Sequence, residues 1–211
     1  RSEGCGIFYV IGNYMCYTDV NMHTFGADGF HFPPQMTVLG HHFISKEDNM
    51  GIVVIGSIFV DIKGYPMGEF VATGRNVGSV IIKDGGVSRN VAEDIANVEL
   101  RPTFVSLIDD SGQGQEVLAK LKRHKINTDY IRAVPEGTGT WLAVFDNQGD
   151  VAASISRRPD LSEIDNILDE QGDEIFKDAD SIVVEFDMER ATLKRVFELA
   201  KKYNKNVKMF S

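Results

Sequence analysis

Asp61, the glycine pair Gly85-Gly86 and Asn90 are the residues of this 211-residue chain whose types and spacing could do chemistry. Asp61 sits near the end of the apolar run GIVVIGSIFVDI, where a first strand is expected to finish. Open α/β sheets bind ligands at the carboxyl edge of their strands, so a carboxylate there is placed to accept hydrogen bonds from a polar ligand. As plain structure, the same aspartate would cap a turn. Gly85-Gly86 precede VSRNVAEDIANV. Two residues without a Cβ let the backbone approach a ligand closely and act as a hinge, and Asn90, one helical turn along, can aim its amide at the same groups. A simple helix-entry turn is the alternative. Arg89 is expected to face solvent or an acidic neighbour.

These residues need a frame, and hydrophobic periodicity supplies one. GIVVIGSIFVDI is continuous enough for a strand buried on both faces, and SVIIKDGG reads as a short strand before the glycines. The helix that follows carries Val87, Val91, Ile95 and Val98 on one predicted face. RPTFVSLIDD then reads as a strand, and GQGQEVLAKLKRHKI as an amphipathic helix with Val117, Leu118, Leu121 and Ile126. GTGTWLAVFDNQGDVAASIS alternates around Asn147-Gln148-Gly149, the pattern of a β-hairpin. A helix near Ser162 to Leu168, the strand SIVVEF, the helix ERATLKRVFELAKKY and a strand opening at Asn206 complete the series. Strand alternating with helix predicts a right-handed parallel α/β plan. The final strand is expected to lie at a sheet edge, in a fold left incomplete at its C-terminus.

Composition narrows the function classes. With 43% hydrophobic and 25% charged residues, the chain reads as an ordinary globular protein, without an apolar run of about 18 residues that would span a bilayer. No membrane partner is expected. A net charge of −9 argues against a nucleic-acid surface, which needs clustered cations. Cys5 and Cys16 are too few for a disulfide framework, which fits a reducing cytoplasm, and the N-terminus carries no signal-peptide pattern.

The first 49 residues stand apart: they hold both cysteines and four of the five histidines, but only 2 of the 22 Lys/Arg. A boundary is therefore expected near Asn49-Met50, with residues 1–49 an N-terminal extension of unknown role. GIFYVIGNYMCYTDV reads as a strand, in keeping with an accessory strand or hairpin, or a leader. His41 and His42 with His31, Asp28 or Cys16 could be taken for metal ligands. Neighbouring strand residues point to opposite faces, so no metal site is expected.

From Gly51 onward the ordered series VVIGSIFVDI, GG…RN, FVSLIDDSGQGQEVLAKLKRHKINTDYI and TGTWLAVFDNQGD resembles the ribokinase-like, or PfkB, carbohydrate kinase family. Within it, DIKG, GRNVG and GGVSRNVAEDIANV are most similar to the pseudouridine kinase subgroup. Two departures stand out. Leu107-Ile108 replaces a usual Val-Gly before Asp109-Asp110, and Arg157-Arg158 stands where the subgroup tends to show an acidic residue and methionine.

The resemblance implies a doubly wound, mostly parallel sheet with a small β lid, and ATP-dependent phosphoryl transfer to a hydroxyl of a ribosyl substrate such as pseudouridine. It implies that Asp61 would accept from two sugar hydroxyls, aided by Gly85, Gly86 and Asn90. Asn76 would contact base or sugar, Thr140 of the lid would bind substrate, Trp141 would be a ligand platform or a buried lid aromatic, and Asp187 would bind substrate near the phosphate end of the cleft. ATP and Mg2+ are implied as cofactors, and a homodimer through the lid as the assembly. The family's Gly-x-Gly-Asp segment, whose aspartate is the catalytic base, does not occur in these residues; FGADGF, Phe25 to Phe30, has the letters in another order. The chain alone is therefore expected not to transfer phosphate. A catalytically inactive sugar- or nucleoside-binding module, or an interaction fragment, is the alternative.

Overall fold

The computed structural model describes residues 6–11, 14–19 and 51–210, the first two stretches as backbone only. Two compact units are present, Arg1–Asn49 and Met50–Ser211. In the first, β1 (Gly6–Ile11) and β2 (Tyr14–Asp19) pair antiparallel, with Ile11 opposite Tyr14. The stretch expected as one strand is thus a hairpin. His31, His41, His42, Asp28 and Phe25 to Phe30 lie outside the described residues, and of Cys16 only the backbone is described.

In the second unit the strands β3 (Ile52–Ile55), β4 (Phe59–Pro66) and β5 (Gly78–Gly85) precede helix α1 (Val87–Asn97). Strand β6 (Thr103–Ile108), helix α2 (Gly112–Arg123) and the short β7 (Ile131–Ala133) follow. The hairpin β8 (Gly139–Phe145) and β9 (Val151–Arg157) leads to α3 (Glu163–Lys177), β10 (Ser181–Glu185), α4 (Arg190–Lys202) and β11 (Asn206–Phe210).

The strands form two sheets. A parallel sheet runs β11-β10-β3-β6-β7, and a smaller mixed sheet runs β5-β4-β8-β9. Alternation along the parallel strands feeds two cores. Val53, Ile55, Val105, Leu107, Ile182 and Val184 face α3 and α4, where Ile167, Leu168, Phe176, Val196 and Leu199 close over them. Val54, Phe104 and Ile108 face the other way, onto Ala92 and Ile95 of α1 and Val117 and Leu121 of α2. Helices on both faces of a parallel sheet make the fold doubly wound.

Several expectations need correcting. GIVVIGSIFVDI is two strands in two sheets, separated by Gly56, Ser57 and Ile58. Asp61 therefore lies inside β4 of the small sheet, and not at the end of the first strand. On α1 the buried residues are Ser88, Arg89, Ala92 and Ile95, whereas Val87 and Val98 are exposed. The face turned inward is offset from the valine stripe: Ala92 and Ile95 pack on the core, Ser88 bonds Glu185, and Arg89 is buried with them. The third helix runs on to Lys177, and β7 adds a strand that periodicity did not reveal, being only three residues long.

Candidate functional site

A cleft of about 820 Å³ opens between the small sheet and the carboxyl ends of β3 and β10. Its upper wall is one face of the small sheet. The register sets Asp61 of β4 beside Lys83 of β5 and Trp141 of β8, with Ser156 of β9 next in the row. Alternation puts all four on the cleft side, and all four line it. Lys63, two residues on, holds Asp61 Oδ2 at 3.1 Å and places its ammonium 5.4 Å from the Trp141 ring centroid. Edge-on contact with Phe145, itself stacked on Tyr65, supports the indole.

The side wall is the glycine turn. Gly86 has φ 92° and ψ 124° at the N-cap of α1, a conformation L side chains rarely adopt. A Cβ there would stand 2.8 Å from Ser57 O and 3.0 Å from Phe59 N, so this glycine is required twice over. Gly85 answers a different demand: a Cβ on it would meet Asp61 Oδ1 at 2.3 Å. The first glycine makes room for the carboxylate; the second makes the turn.

The floor is Glu185, at the end of β10 and 9% exposed. Ser57 donates to its Oε2 from both the backbone N–H and the hydroxyl at 2.8 Å, and Ser88 Oγ donates at 2.6 Å. One carboxylate thereby ties the β3–β4 turn to the first turn of α1. Gly56 is compact for the same reason, since a Cβ would lie 1.9 Å from Ser88 Oγ. Ser106 Oγ donates to Gly56 O at 2.6 Å and fixes the turn from β6. Sequence reasoning did not single out Glu185. Its signal was a lone carboxylate ending the apolar strand SIVVE, where burial of a charge demands partners.

Of the predicted residues, Asp61, Gly85, Gly86, Asn90 and Asp187 line this cleft together. Asn76 does not join them: its amide accepts from Val71 N–H at 2.8 Å and donates to Val71 O at 2.9 Å, closing the loop between β4 and β5. That loop encloses a separate depression lined by Pro66 to Val77. Thr140 occupies the opposite face of β8 from Trp141, where Arg157 Nη2 donates to its hydroxyl at 3.3 Å. Arg89 is not at the solvent face: it is 4% exposed, and its Nη1 pairs with Glu93 Oε2 at 2.6 Å.

The lining carries the carboxylates of Asp61, Asp84, Asp160, Glu185, Asp187 and Glu189 against the cations of Lys63, Lys83 and Arg158. Donated hydrogen bonds from the Ser162 backbone and then its side chain hold the Asp160 carboxyl below the usual range. Such a surface suits a neutral, hydroxyl-rich ligand better than a polyanion. Among the described residues, no group of three or more His, Cys, Asp or Glu is placed to hold a metal ion.

The family model described as pfkB family carbohydrate kinase matches residues 50–210. The chain belongs to that family. Guanosine-inosine kinase of Exiguobacterium acetylicum is 34% identical over 152 residues, covering 72% of this chain and 50% of the relative. Pseudouridine kinase of Escherichia coli is 28% identical over 106 residues, covering 50% of this chain and 34% of the relative. The chain thus spans half or less of the length of these curated relatives.

Among solved structures, ribokinase from Thermotoga maritima superposes with a TM-score of 0.63 at 18% identity, over 76% of this chain and 52% of that one. Ribokinase from Arabidopsis thaliana complexed with ribose and ATP gives 0.61 at 19%, over 75% and 52%. At these identities the likeness is one of fold, and the fold is that of ribokinases, as the ordered motifs implied.

Proposed function

We propose that this pfkB-family domain binds the ribosyl part of a nucleoside in the cleft under the small sheet, as the substrate-side half of an ATP-dependent nucleoside kinase. The observation that carries this reading is the meeting of Asp61 with the Gly85-Gly86 and Asn90 segment in one cleft beside the buried Glu185, distant from both in sequence. Asp61 is an acceptor whose two oxygens can serve adjacent hydroxyls of a ribose, and Asn90 offers an amide beside it. Lys83, Trp141 and Ser156 leave a flat, partly apolar wall above the sugar, suited to a base. The names of two curated relatives, one acting on guanosine and inosine and one on pseudouridine, support a nucleoside over a simple sugar.

Among the described residues, the cleft lining does not make a triphosphate site. Carboxylates outnumber cations in the cleft, and no Gly-x-Gly-Asp segment occurs in the sequence. ATP with Mg2+ supplies the transferred phosphoryl group in this proposal, but no step is routed through these side chains, and the 211-residue chain alone is expected not to turn over. A cytoplasmic setting belongs to the same proposal; among the described residues no helix is long and apolar enough to cross a membrane.

A homodimer through the small sheet is the accompanying assembly. Its face away from the cleft exposes Val80, Ile82, Leu142 and Ile155, the last at 73%. An apolar stripe across three strands of one sheet suits a second copy of the same sheet. Sedimentation of the chain and of Ile155→Lys reads this directly: the wild type is expected as a dimer and the variant as a monomer, and a monomeric wild type overturns it.

Calorimetric titration with guanosine, inosine, pseudouridine and ribose tests the binding reading. At least one nucleoside is expected to bind more tightly than ribose, and Asp61→Ala to weaken it about 10- to 100-fold, the range for a hydrogen bond to a charged group. Binding unaffected by Asp61→Ala, or no binding at all, overturns it. Turnover of ATP by the chain would overturn its expected inactivity.

A further inference from the structure

Arg89 is anomalous. It lies in the first turn of α1, where the helix dipole is positive and a cation is electrostatically misplaced, yet it is 4% exposed. A buried guanidinium persists only when its donors are met. Here they are met by the backbone of the glycine turn. Nε donates to Gly85 O at 2.9 Å, and Nη2 donates to Asp84 O at 3.2 Å. Nη2 also donates to Oδ1 of Asn90. Nη1 pairs with Glu93, whose other oxygen lies 3.4 Å from Lys120 Nζ of α2; that ammonium in turn holds Asp84 Oδ2 at 3.0 Å. The network closes on itself through β5, α1 and α2.

We propose that Arg89 is a positioning residue that fixes the glycine turn and orients the Asn90 amide toward the cleft. With Oδ1 engaged by the guanidinium, Nδ2 is the group Asn90 offers, so the ligand atom it meets is an acceptor such as a hydroxyl oxygen. Through the two carbonyls, the same guanidinium holds Gly85 against the Asp61 carboxylate. A lysine cannot reproduce this, because one ammonium has no planar fork with which to span two carbonyls, an amide and a carboxylate.

This inference rests on the ribosyl reading, and two measurements on the 211-residue chain separate the two. The first is titration with guanosine and its 2′- and 3′-deoxy analogues. The wild type is expected to favour guanosine over at least one analogue about ten-fold; Asn90→Ala loses that preference, Arg89→Met and Arg89→Lys lose it equally, and the double variant Arg89→Lys/Asn90→Ala is no worse than either. A purely structural role would leave the preference intact in Arg89→Lys, whose fold is expected to survive, and that result overturns the proposal.

The second is amide hydrogen exchange without ligand. Residues 86–91 are expected to exchange at least ten-fold faster in Arg89→Lys, with β3 and β6 unchanged; equal rates overturn the proposal. Should the wild type bind none of these three, the exchange rates alone decide for or against the turn-fixing role of Arg89; the ribosyl reading fails only if inosine and pseudouridine go unbound as well.

Discussion

The two sheets of the second unit are built to opposite standards. In the parallel sheet the residues of β3, β6 and β10 are packed from both sides, and Val54, Ile55, Phe104, Val105 and Ile182 have no exposure at all. In the small sheet β9 is exposed along its whole length, β5 along most of it, and one face of β4 borders the cleft. The first sheet carries stability; the second carries a carboxylate, two lysines and an indole that no core would accept unpaired. Gly56, Ser57 and Ile58 join them. The contrast teaches that stability and ligand recognition are divided between sheets and coupled through one buried turn, whose anchor is Glu185.

The division predicts a graded set of effects. Phe104→Ala, in the parallel core, is expected to cost about 3–5 kcal/mol in chemical denaturation through the cavity it leaves; a cost under 1 kcal/mol would mean that the parallel sheet is not the stabilising layer. Gly86→Ala at the junction should cost about 1–3 kcal/mol from the positive φ, and should weaken ligand binding too, because its Cβ meets backbone of the β3–β4 turn. Gly85→Ala should behave differently. Its Cβ meets only the end of the Asp61 side chain, so stability should change by less than about 1 kcal/mol while nucleoside affinity falls about ten-fold. Equal effects of the two substitutions would erase the distinction between turn and cleft.

The smallest effect is far from the cleft. Burial first, then the hydrogen bond to Glu174 and neighbouring carboxylates, push the Tyr130 hydroxyl from 10.0 up to about 12. An acid whose folded pKa is raised keeps its proton longer in the native state, so stability is full below pH 10 and declines from there to about pH 12. Thermal unfolding across that window should fall less steeply in Tyr130→Phe, with cleft binding at neutral pH unchanged. Identical alkaline slopes would remove Tyr130 as the source.

The legible part of this protein was local. The helix after Gly85-Gly86 follows from apolar spacing, the β8–β9 hairpin from Asn147-Gln148-Gly149 with Gly149 at φ 88°, and the parallel plan from the alternation of elements. Asp61, Gly85, Gly86 and Asn90 could be chosen from residue type and position together with the family resemblance, and Asp187 from the resemblance alone; all five line one cleft. Asn76 and Thr140 were chosen the same way and lie elsewhere, since the loop that uses one amide and the strand face that carries one hydroxyl are properties of register.

What the sequence determined by itself was most of the elements, their order and the chemical types near the ligand edge, because these depend on short-range periodicity and backbone conformation. Tertiary structure alone decided where the apolar run GIVVIGSIFVDI breaks. Ser57 and Ile58 are buried as completely as the strand before them, and Glu185, 128 residues away, holds Ser57 at the break. It also decided that Arg89 goes inward, since the carbonyls and carboxylate that satisfy its charge come from β5 and α1 and meet only when the strand end and helix start are folded together.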